Sequence, residues 1–416
     1  MIVQLNRVQT LLAVFAAVLA AVFFAAFMTA GMADAKPKNK PKKSKIVKGP
    51  AGLAFYNKKP KKMPKQHGRL IWQRNATGVV SLKSASSTKT ILYTSKTPAG
   101  KMVTVSGTVS VPKGKAPQGG WPVITYGHGT TGIADKCAPS RNRANGPATS
   151  YISYTDPIQN SWLKAGYAVL RTDYQGLGTP GLHAFLIGKA EGRGVLDIVR
   201  AARDLNPKIS KKYVIAGHSQ GGHAALFAAG EAAKWVPELK LKGTVAFAPA
   251  SHMKEEASLL PALTSPSSLT ALAAMIVKGA DSVSTVIEPN ALLSDPVLEF
   301  YPDTETECLS RLGQADNLGG IAPSTLIREG ADTGPLFDLL EEQNPDVKTD
   351  APILLAQGTA DTTTFQFLTD DLNDELVALG DDIDYNLYEG ADHGGVLDAA
   401  TDDVTTFLNN RLPSGR

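Results

Sequence analysis

Apolar and polar residues alternate along the first part of the body of the chain. The run 102–111 alternates almost strictly, and shorter β-rich runs lie at 90–94 and 122–126. Because successive side chains of a strand point to opposite faces, such alternation is typical of strands in a sheet. We predict three neighbouring, partly antiparallel strands in this region.

Further along the chain, apolar strand-like runs alternate with amphipathic helical segments. Strands are predicted at 167–173, 213–216 and 243–249. Between the first two strands, apolar residues recur at helical spacing and share one face of a helix: Val195, Ile198, Val199, Ala202 and Leu205. Alternation of this kind predicts a mostly parallel central sheet flanked by helices on both faces.

The alternation stops after residue 251 and resumes near residue 350. The intervening segment holds apolar helical stretches at 259–277 and 291–301, broken by proline, serine and glycine. Two more strands follow, at 352–358 and 383–388, each with an amphipathic helix after it. We interpret the interruption as a helical cap or lid inserted over an active site.

These patterns divide the chain. The predicted α/β core consists of residues 66–251 and 350–416, and the helical cap occupies residues 252–349.

One motif in the core indicates chemistry. The apolar run 213–216 leads into Gly217-His-Ser-Gln-Gly221, and an Ala-rich helical pattern follows. Strand, tight turn and helix form the setting of a nucleophile elbow, which exposes a serine that is otherwise a poor nucleophile. Small residues two positions before and after the serine avoid a collision at the turn. We predict that Ser219 is a catalytic nucleophile.

Chain order selects the partners of Ser219. In hydrolases with this elbow, the acid and then the histidine follow the serine, each at the end of a later strand. Of the seven histidines, His393 alone lies beyond the last predicted strands, in a glycine-rich loop. Asp361, after the strand 352–358, is the predicted acid that orients His393. Asp392 is the alternative, but neighbouring residues usually point apart.

A site for acyl transfer also needs donors for the developing oxyanion. The predicted donors are the N–H of Gln220, directly after the nucleophile, and an N–H in the His-Gly loop that follows the strand 121–126. In that loop we choose Thr130, with Thr131 as the alternative.

The N-terminal part of the chain has a different composition. Arg7 precedes an apolar run at 11–28, and Ala33-Asp-Ala35 offers a cleavage site, so residues 1–35 are predicted to be a signal peptide. An uncleaved membrane anchor is the alternative. Residues 36–65 hold 12 lysines and several prolines, and we predict an extended, solvated linker.

The N-terminal segment and the rest of the chain have net charges of opposite sign. Through residue 65 the chain has 13 basic residues and one acidic residue, a net charge of +12. The remainder has 30 basic and 38 acidic residues, a net charge of −8. No aromatic or structured motif beside the basic segment favours nucleic acid, so contact with an anionic cell surface is preferred to nucleic acid binding, and a soluble tether is preferred to both.

Cysteine usage fits an exported protein. Cys137 and Cys308 are the two cysteines of the 416-residue chain, and an oxidising destination favours one disulfide between them, with two buried thiols as the alternative. No histidine or cysteine cluster has the spacing of a zinc site, so we predict neither a metal nor a cofactor.

Several motifs together resemble a known family. They are 127–140, which includes Cys137-Ala-Pro-Ser140, and 172–181, 217–222, 357–361 and 390–395. From about Phe55 to the C-terminus the chain resembles the secretory lipases of the α/β-hydrolase superfamily, the Candida antarctica lipase A type.

The resemblance implies a serine esterase. It implies Ser219, Asp361 and His393 as the triad, a helical cap that forms an acyl-binding tunnel, and a disulfide from Cys137 into the cap. Two departures are visible. Many relatives have Val-Pro just beyond the triad acid, where this chain has threonines and Phe365, and two cysteines cannot provide the second disulfide of the fungal members.

The leading hypothesis is a secreted hydrolase of carboxylic esters, acylglycerols or other lipid esters, that acts through an acyl-serine intermediate. Its partners are then an ester substrate and a lipid interface. Acyl transfer to another acceptor uses the same triad and is one alternative. A non-catalytic cell-surface protein on a hydrolase scaffold is the other.

Overall fold

A computed structural model describes residues 46–415. The predicted signal peptide and the first part of the predicted linker lie outside the described residues. The residues from Ile46 onward form one compact unit that contains both the core and the segment predicted as a cap.

A nine-stranded sheet runs through the described part of the chain. Its strands are β1 (Leu70–Asn75), β2 (Ala85–Lys96), β3 (Met102–Pro112), β4 (Trp121–Gly127), β5 (Ala168–Thr172), β6 (Ile209–His218), β7 (Lys240–Phe247), β8 (Ile353–Gly358) and β9 (Ile383–Tyr388). The spatial order is β1-β2-β3-β5-β4-β6-β7-β8-β9. The first three strands pair antiparallel, β3 pairs antiparallel with β5, and the rest of the sheet is parallel. The predicted mostly parallel sheet is confirmed.

Helices connect and cover the strands. They are α1 (Ala54–Asn57), α2 (Ser150–Ser153), α3 (Asp156–Ala165), α4 (Gly188–Leu205), α5 (Gln220–Trp235), α6 (Met253–Leu259), α7 (Leu269–Asp281), α8 (Pro289–Leu292), α9 (Asp295–Phe300), α10 (Leu309–Leu312), α11 (Gly334–Glu341), α12 (Gln366–Ala378), α13 (Val396–Ala399) and α14 (Thr401–Arg411). Short 3₁₀ turns lie between several of them.

Apolar side chains pack on both faces of the sheet. One face carries α4 and α5, whose buried residues join Val123, Leu170 and Ile215 in a single cluster. The other face carries α3, α13 and α14, which pack on Ile124, Val214 and their neighbours. Every residue of β4 and β8 is buried, as expected for central strands of a covered parallel sheet.

Part of the predicted linker packs against the body. Phe55 and Tyr56 are buried, and Lys48 forms a β-bridge with Gln73 of β1. The high lysine content of residues 36–65 predicted a solvated segment, but the adjacent aromatic pair is apolar enough to fix this stretch beside Trp72. The folded body of the protein therefore begins before residue 66, the predicted start of the core.

The segment 252–349 is helical. It contains α6 to α11, and its apolar residues form a cluster with Phe185, Leu186 and Ala250 of the core. The stretch predicted as helical at 259–277 is instead two helices, α6 and α7, because Pro261 and Pro266 lie in the connection between them. A disulfide joins Cys137 to Cys308 and so ties this segment to the loop after β4, which confirms the predicted bridge.

Candidate active site

Ser219 lies on a strained turn between β6 and α5. Its φ is 59° and its ψ is −120°, a combination that a residue with a side chain seldom adopts and that costs about 1–3 kcal/mol. The Ser219 N–H donates to the Phe247 carbonyl at 2.9 Å, and the carbonyl of Ser219 accepts from Gly222 and His223. The surrounding backbone thus holds the serine at the carboxyl end of β6.

Two glycines make the turn possible. A Cβ on Gly217 would lie 1.9 Å from the Gly221 carbonyl oxygen, and a Cβ on Gly221 would lie 2.0 Å from that of Gly127. Both contacts are with backbone, which cannot move aside as a flexible side chain can. The small residues of the motif are therefore required by close backbone packing beside β4.

The structure brings Asp361 and His393 together. His393 Nδ1–H donates to Asp361 Oδ2 at 2.7 Å, and the aspartate follows β8 while the histidine follows β9. Asp361 is buried, whereas the side chain of His393 is 24% exposed. Ser219 and His393 line one cavity. The hydrogen bonds of the described residues do not include one between the Ser219 hydroxyl and the His393 ring.

Threonines hold the carboxylate of Asp361. The N–H groups of Thr363 and Thr364 donate to Oδ1 at 2.8 and 3.0 Å, and the Thr364 hydroxyl donates to Oδ2 at 2.9 Å. Burial raises the pKa of Asp361, but the hydrogen bond and charge of His393 and the two backbone donors outweigh it, so the pKa is lowered. Asp361 is therefore an anion oriented toward His393. The rival acid, Asp392, is exposed and accepts from the N–H of Gly395.

A second histidine connects the elbow to the His393 loop. His218 Nε2–H donates to the backbone carbonyl of His393 at 2.7 Å, and its Nδ1 accepts from the Tyr154 hydroxyl at 2.6 Å. Burial, followed by the charge of His393, lowers the pKa of His218 to about 3, so the ring is neutral at ordinary pH. The residue before the candidate nucleophile thus anchors the backbone of the candidate base.

The two predicted oxyanion donors lie beside Ser219. Gln220 is the first residue of α5, where backbone N–H groups have no partner within the helix and the helix dipole favours negative charge. Thr130 lines both cavities that contain Ser219. Thr131, the alternative, is fully buried, and its carbonyl accepts from Leu309 N–H. This placement favours Thr130 over Thr131.

A buried polar network holds the side chain of Gln220. Gln220 Nε2 donates to Glu191 Oε1 at 2.6 Å and to His183 Nε2 at 3.0 Å. The same carboxylate oxygen accepts from Leu186 N–H at 2.9 Å. Both partners of Gln220, Glu191 and His183, belong to α4 or the loop before it, so the network fixes the start of α5 against α4.

Two cavities meet at Ser219. The apolar chamber, about 400 Å³, extends under α6, α7 and α11 and is lined by residues such as Met253, Leu272 and Phe337. The second cavity, about 420 Å³, lies on the side of His393 and carries the hydroxyls of Ser150, Tyr151 and Tyr154. Both volumes are in the range of ligand pockets. A serine at their junction can contact two parts of one substrate.

Several groups that support the site were not predicted from the sequence. Thr364, His218 and Glu191 were not predicted to contact it, although the Thr-rich stretch after Asp361 was noted as a departure from relatives. In residues 46–415, no three or more histidine, cysteine or acidic side chains are grouped to hold a metal ion. Nor does any helix there have the length and apolar character needed to cross a membrane.

The sheet order, the turn after β6 and the positions of Asp361 and His393 after β8 and β9 define an α/β-hydrolase fold with a helical cap. The fold is shared with solved structures. Candida antarctica lipase A in its closed state is 19% identical, with a TM-score of 0.67 over 85% of this chain and 81% of the other. The rice cell wall degrading esterase LipA from Xanthomonas oryzae is 17% identical, with a TM-score of 0.67 over 83% and 98%.

Sequence comparison finds partial matches to secretory lipases. The profile of the family described as secretory lipase matches residues 144–266, which include the elbow. Lipase A from Moesziomyces aphidis is 33% identical over 112 residues, 26% of this chain. The matched part spans about a quarter of that relative, 23% of its length. The predicted resemblance to secretory lipases is confirmed.

Proposed function

We propose that this protein is a serine carboxylic ester hydrolase of the lipase and esterase type. The observation that supports the proposal most strongly is the junction at Ser219. A strained serine at the start of a helix lies where an apolar chamber meets the cavity that His393 lines. The Asp361–His393 pair supplies an oriented imidazole next to that junction.

Acylation uses the groups in order. His393 Nε2 takes the proton of the Ser219 hydroxyl while Oγ attacks the ester carbonyl carbon. The N–H groups of Gln220 and Thr130 donate to the oxyanion of the tetrahedral intermediate. The intermediate collapses, the C–O bond to the alcohol breaks, and His393 returns the proton to the leaving alcohol.

Deacylation repeats the chemistry with water. His393 removes a proton from water, the hydroxide attacks the acyl-serine, and the Ser219–acyl bond breaks with return of the proton to Oγ. Asp361 remains an anion and stabilises the imidazolium in both steps. The acyl group occupies the apolar chamber, and the alcohol leaves through the cavity beside His393. An alcohol in place of water would give acyl transfer.

Chain-length preference tests the proposal. The full-length protein is expected to hydrolyse p-nitrophenyl esters, with kcat/KM rising from acetyl to medium acyl chains because each buried methylene adds about 0.8 kcal/mol of favourable transfer. The measurement is release of p-nitrophenol across a series from acetyl to palmitoyl. Turnover limited to acetyl esters would contradict the assignment of the apolar chamber. Absence of turnover throughout the series would contradict the proposed activity.

We also infer that the protein is exported. The sequence signal at residues 1–35, the match to a secretory family and the Cys137–Cys308 disulfide all support this localisation. Retention at the cell surface by the lysine-rich segment is part of the same proposal.

A further inference from the structure

One charged side chain lines the apolar chamber beside Ser219. Glu256, on α6, is the single ionisable residue among those that line this chamber in the described part of the chain. The chamber walls near it are apolar, with Met253, Leu260 and Leu340 among them. A carboxyl group in such a chamber is unexpected if the chamber receives only hydrocarbon.

The carboxyl has no protein partner. Within residues 46–415, neither a hydrogen bond nor an ion pair involves the Glu256 side chain, although its backbone N–H donates to the His252 carbonyl at 2.9 Å. Its neighbours are differently engaged. Lys254 on the same helix forms an ion pair with Glu341 of α11, and Glu255 is exposed. The nearby cation is therefore committed to another carboxylate.

Apart from Lys254, the charged groups near Glu256 are acidic. Asp361 acts on it from the end of β8, and Asp338 and Glu341 belong to α11, which packs against α6. Desolvation, with a smaller contribution from Asp361, raises the pKa of Glu256 to about 7. Because the Glu256 carboxyl has no protein partner, a ligand that brings a donor to it would form a hydrogen bond that the protein does not provide.

Building on the proposed esterase function, we propose that Glu256 is a polar subsite within the acyl chamber, and that the enzyme takes esters whose acyl chain carries a hydroxyl group. The hydroxyl donates to the Glu256 carboxylate while the ester carbonyl lies at Ser219. The remaining methylenes contact the apolar walls. Glu256 would then be a specificity-determining residue that does not take part in the chemical steps.

The test is a comparison of matched substrates. The full-length protein is assayed with ethyl octanoate and with its monohydroxylated derivatives, in which the hydroxyl is placed at successive carbons. We expect kcat/KM for at least one derivative to exceed that for ethyl octanoate by about tenfold, since hydrogen bonds to charged acceptors are strong and orientation-dependent. Glu256→Leu should remove this preference and raise kcat/KM for the unsubstituted ester.

Two further variants distinguish the effect of the Glu256 charge on substrate preference from the effect of its side-chain size. Glu256→Gln keeps the size and an acceptor oxygen, so a smaller preference should remain, and it should no longer change with pH. In the wild type the preference should increase as pH rises through about 7, because ionisation makes the carboxyl a stronger acceptor. Glu255→Gln, an exposed position on the same helix, is the matched control and should behave as the wild type.

The outcomes are distinct. A preference that survives in Glu256→Leu, or no favoured derivative in a wild type that hydrolyses ethyl octanoate, overturns the subsite and leaves the esterase proposal intact. If Glu256→Leu does not fold, Glu256→Gln decides the question. A smaller, pH-independent preference for the hydroxylated ester supports the subsite, and an unchanged preference overturns it. Failure of the wild type to hydrolyse any of the esters counts against the esterase proposal itself.

Discussion

Ser219→Ala is expected to lower kcat for ester hydrolysis by about 10⁴-fold to 10⁶-fold. The acyl-serine intermediate cannot form without the hydroxyl, and what remains is the effect of binding and of the oxyanion donors alone. Alanine has a Cβ, as serine does, so it occupies the strained backbone at φ 59° with the same cost. Initial-rate kinetics with a medium-chain p-nitrophenyl ester measure the loss.

The thermal unfolding temperature of Ser219→Ala should stay within a few degrees of the wild-type value. Ser161→Ala is a suitable control, because that hydroxyl on α3 donates to the Ile158 carbonyl and contacts neither cavity at Ser219. It should retain wild-type turnover. Most of the activity surviving in Ser219→Ala would exclude this serine as the nucleophile.

Asp361→Asn is expected to lower kcat by about 10⁴-fold at neutral pH. The amide oxygen can still accept from the N–H groups of Thr363 and Thr364, which now bond Oδ1. The amide nitrogen would then face His393 Nδ1 and donate to it. That hydrogen bond places the imidazole proton on Nε2, where a base for Ser219 is needed, so the wrong tautomer is populated.

Asp392→Asn tests which of the two candidate aspartates, Asp361 or Asp392, orients His393. Asp392 is exposed and accepts from Gly395 N–H, which an asparagine oxygen also can do. Kinetics of the two variants, with circular dichroism to check folding, should show a large loss for Asp361→Asn and little change for Asp392→Asn. The reverse pattern would assign the acid to Asp392.

Patterns within one element were enough to predict most of the sheet. The alternating run 383–388 is β9 with the predicted ends, and β8 differs from its prediction by one residue. In contrast, β1 was missed because Leu70-Ile-Trp72 is preceded by Gln66-His-Gly-Arg69 and followed by polar residues. Its strand conformation depends on antiparallel pairing with β2, which lies outside any local window.

Some residues of the candidate site could be predicted from the sequence, and others could not. Chain order placed Ser219, Asp361 and His393 after β6, β8 and β9, because the elbow motif carries a fixed order with it. The bond from His218 to the His393 carbonyl joins residues 175 positions apart, and no local pattern reports it. Glu256 was likewise not predicted, since helical periodicity in the cap does not say which face of α6 borders a cavity.

Mapping of a covalent adduct tests the role of Ser219 most directly. A fluorophosphonate reacts with an activated serine, and peptide mass spectrometry then locates the phosphonyl group. The proposed mechanism predicts one adduct, on Ser219, with loss of ester turnover in proportion to labelling and no adduct in Ser219→Ala. An adduct on a different residue would contradict the mechanism. So would a protein that hydrolyses esters but does not react with the fluorophosphonate.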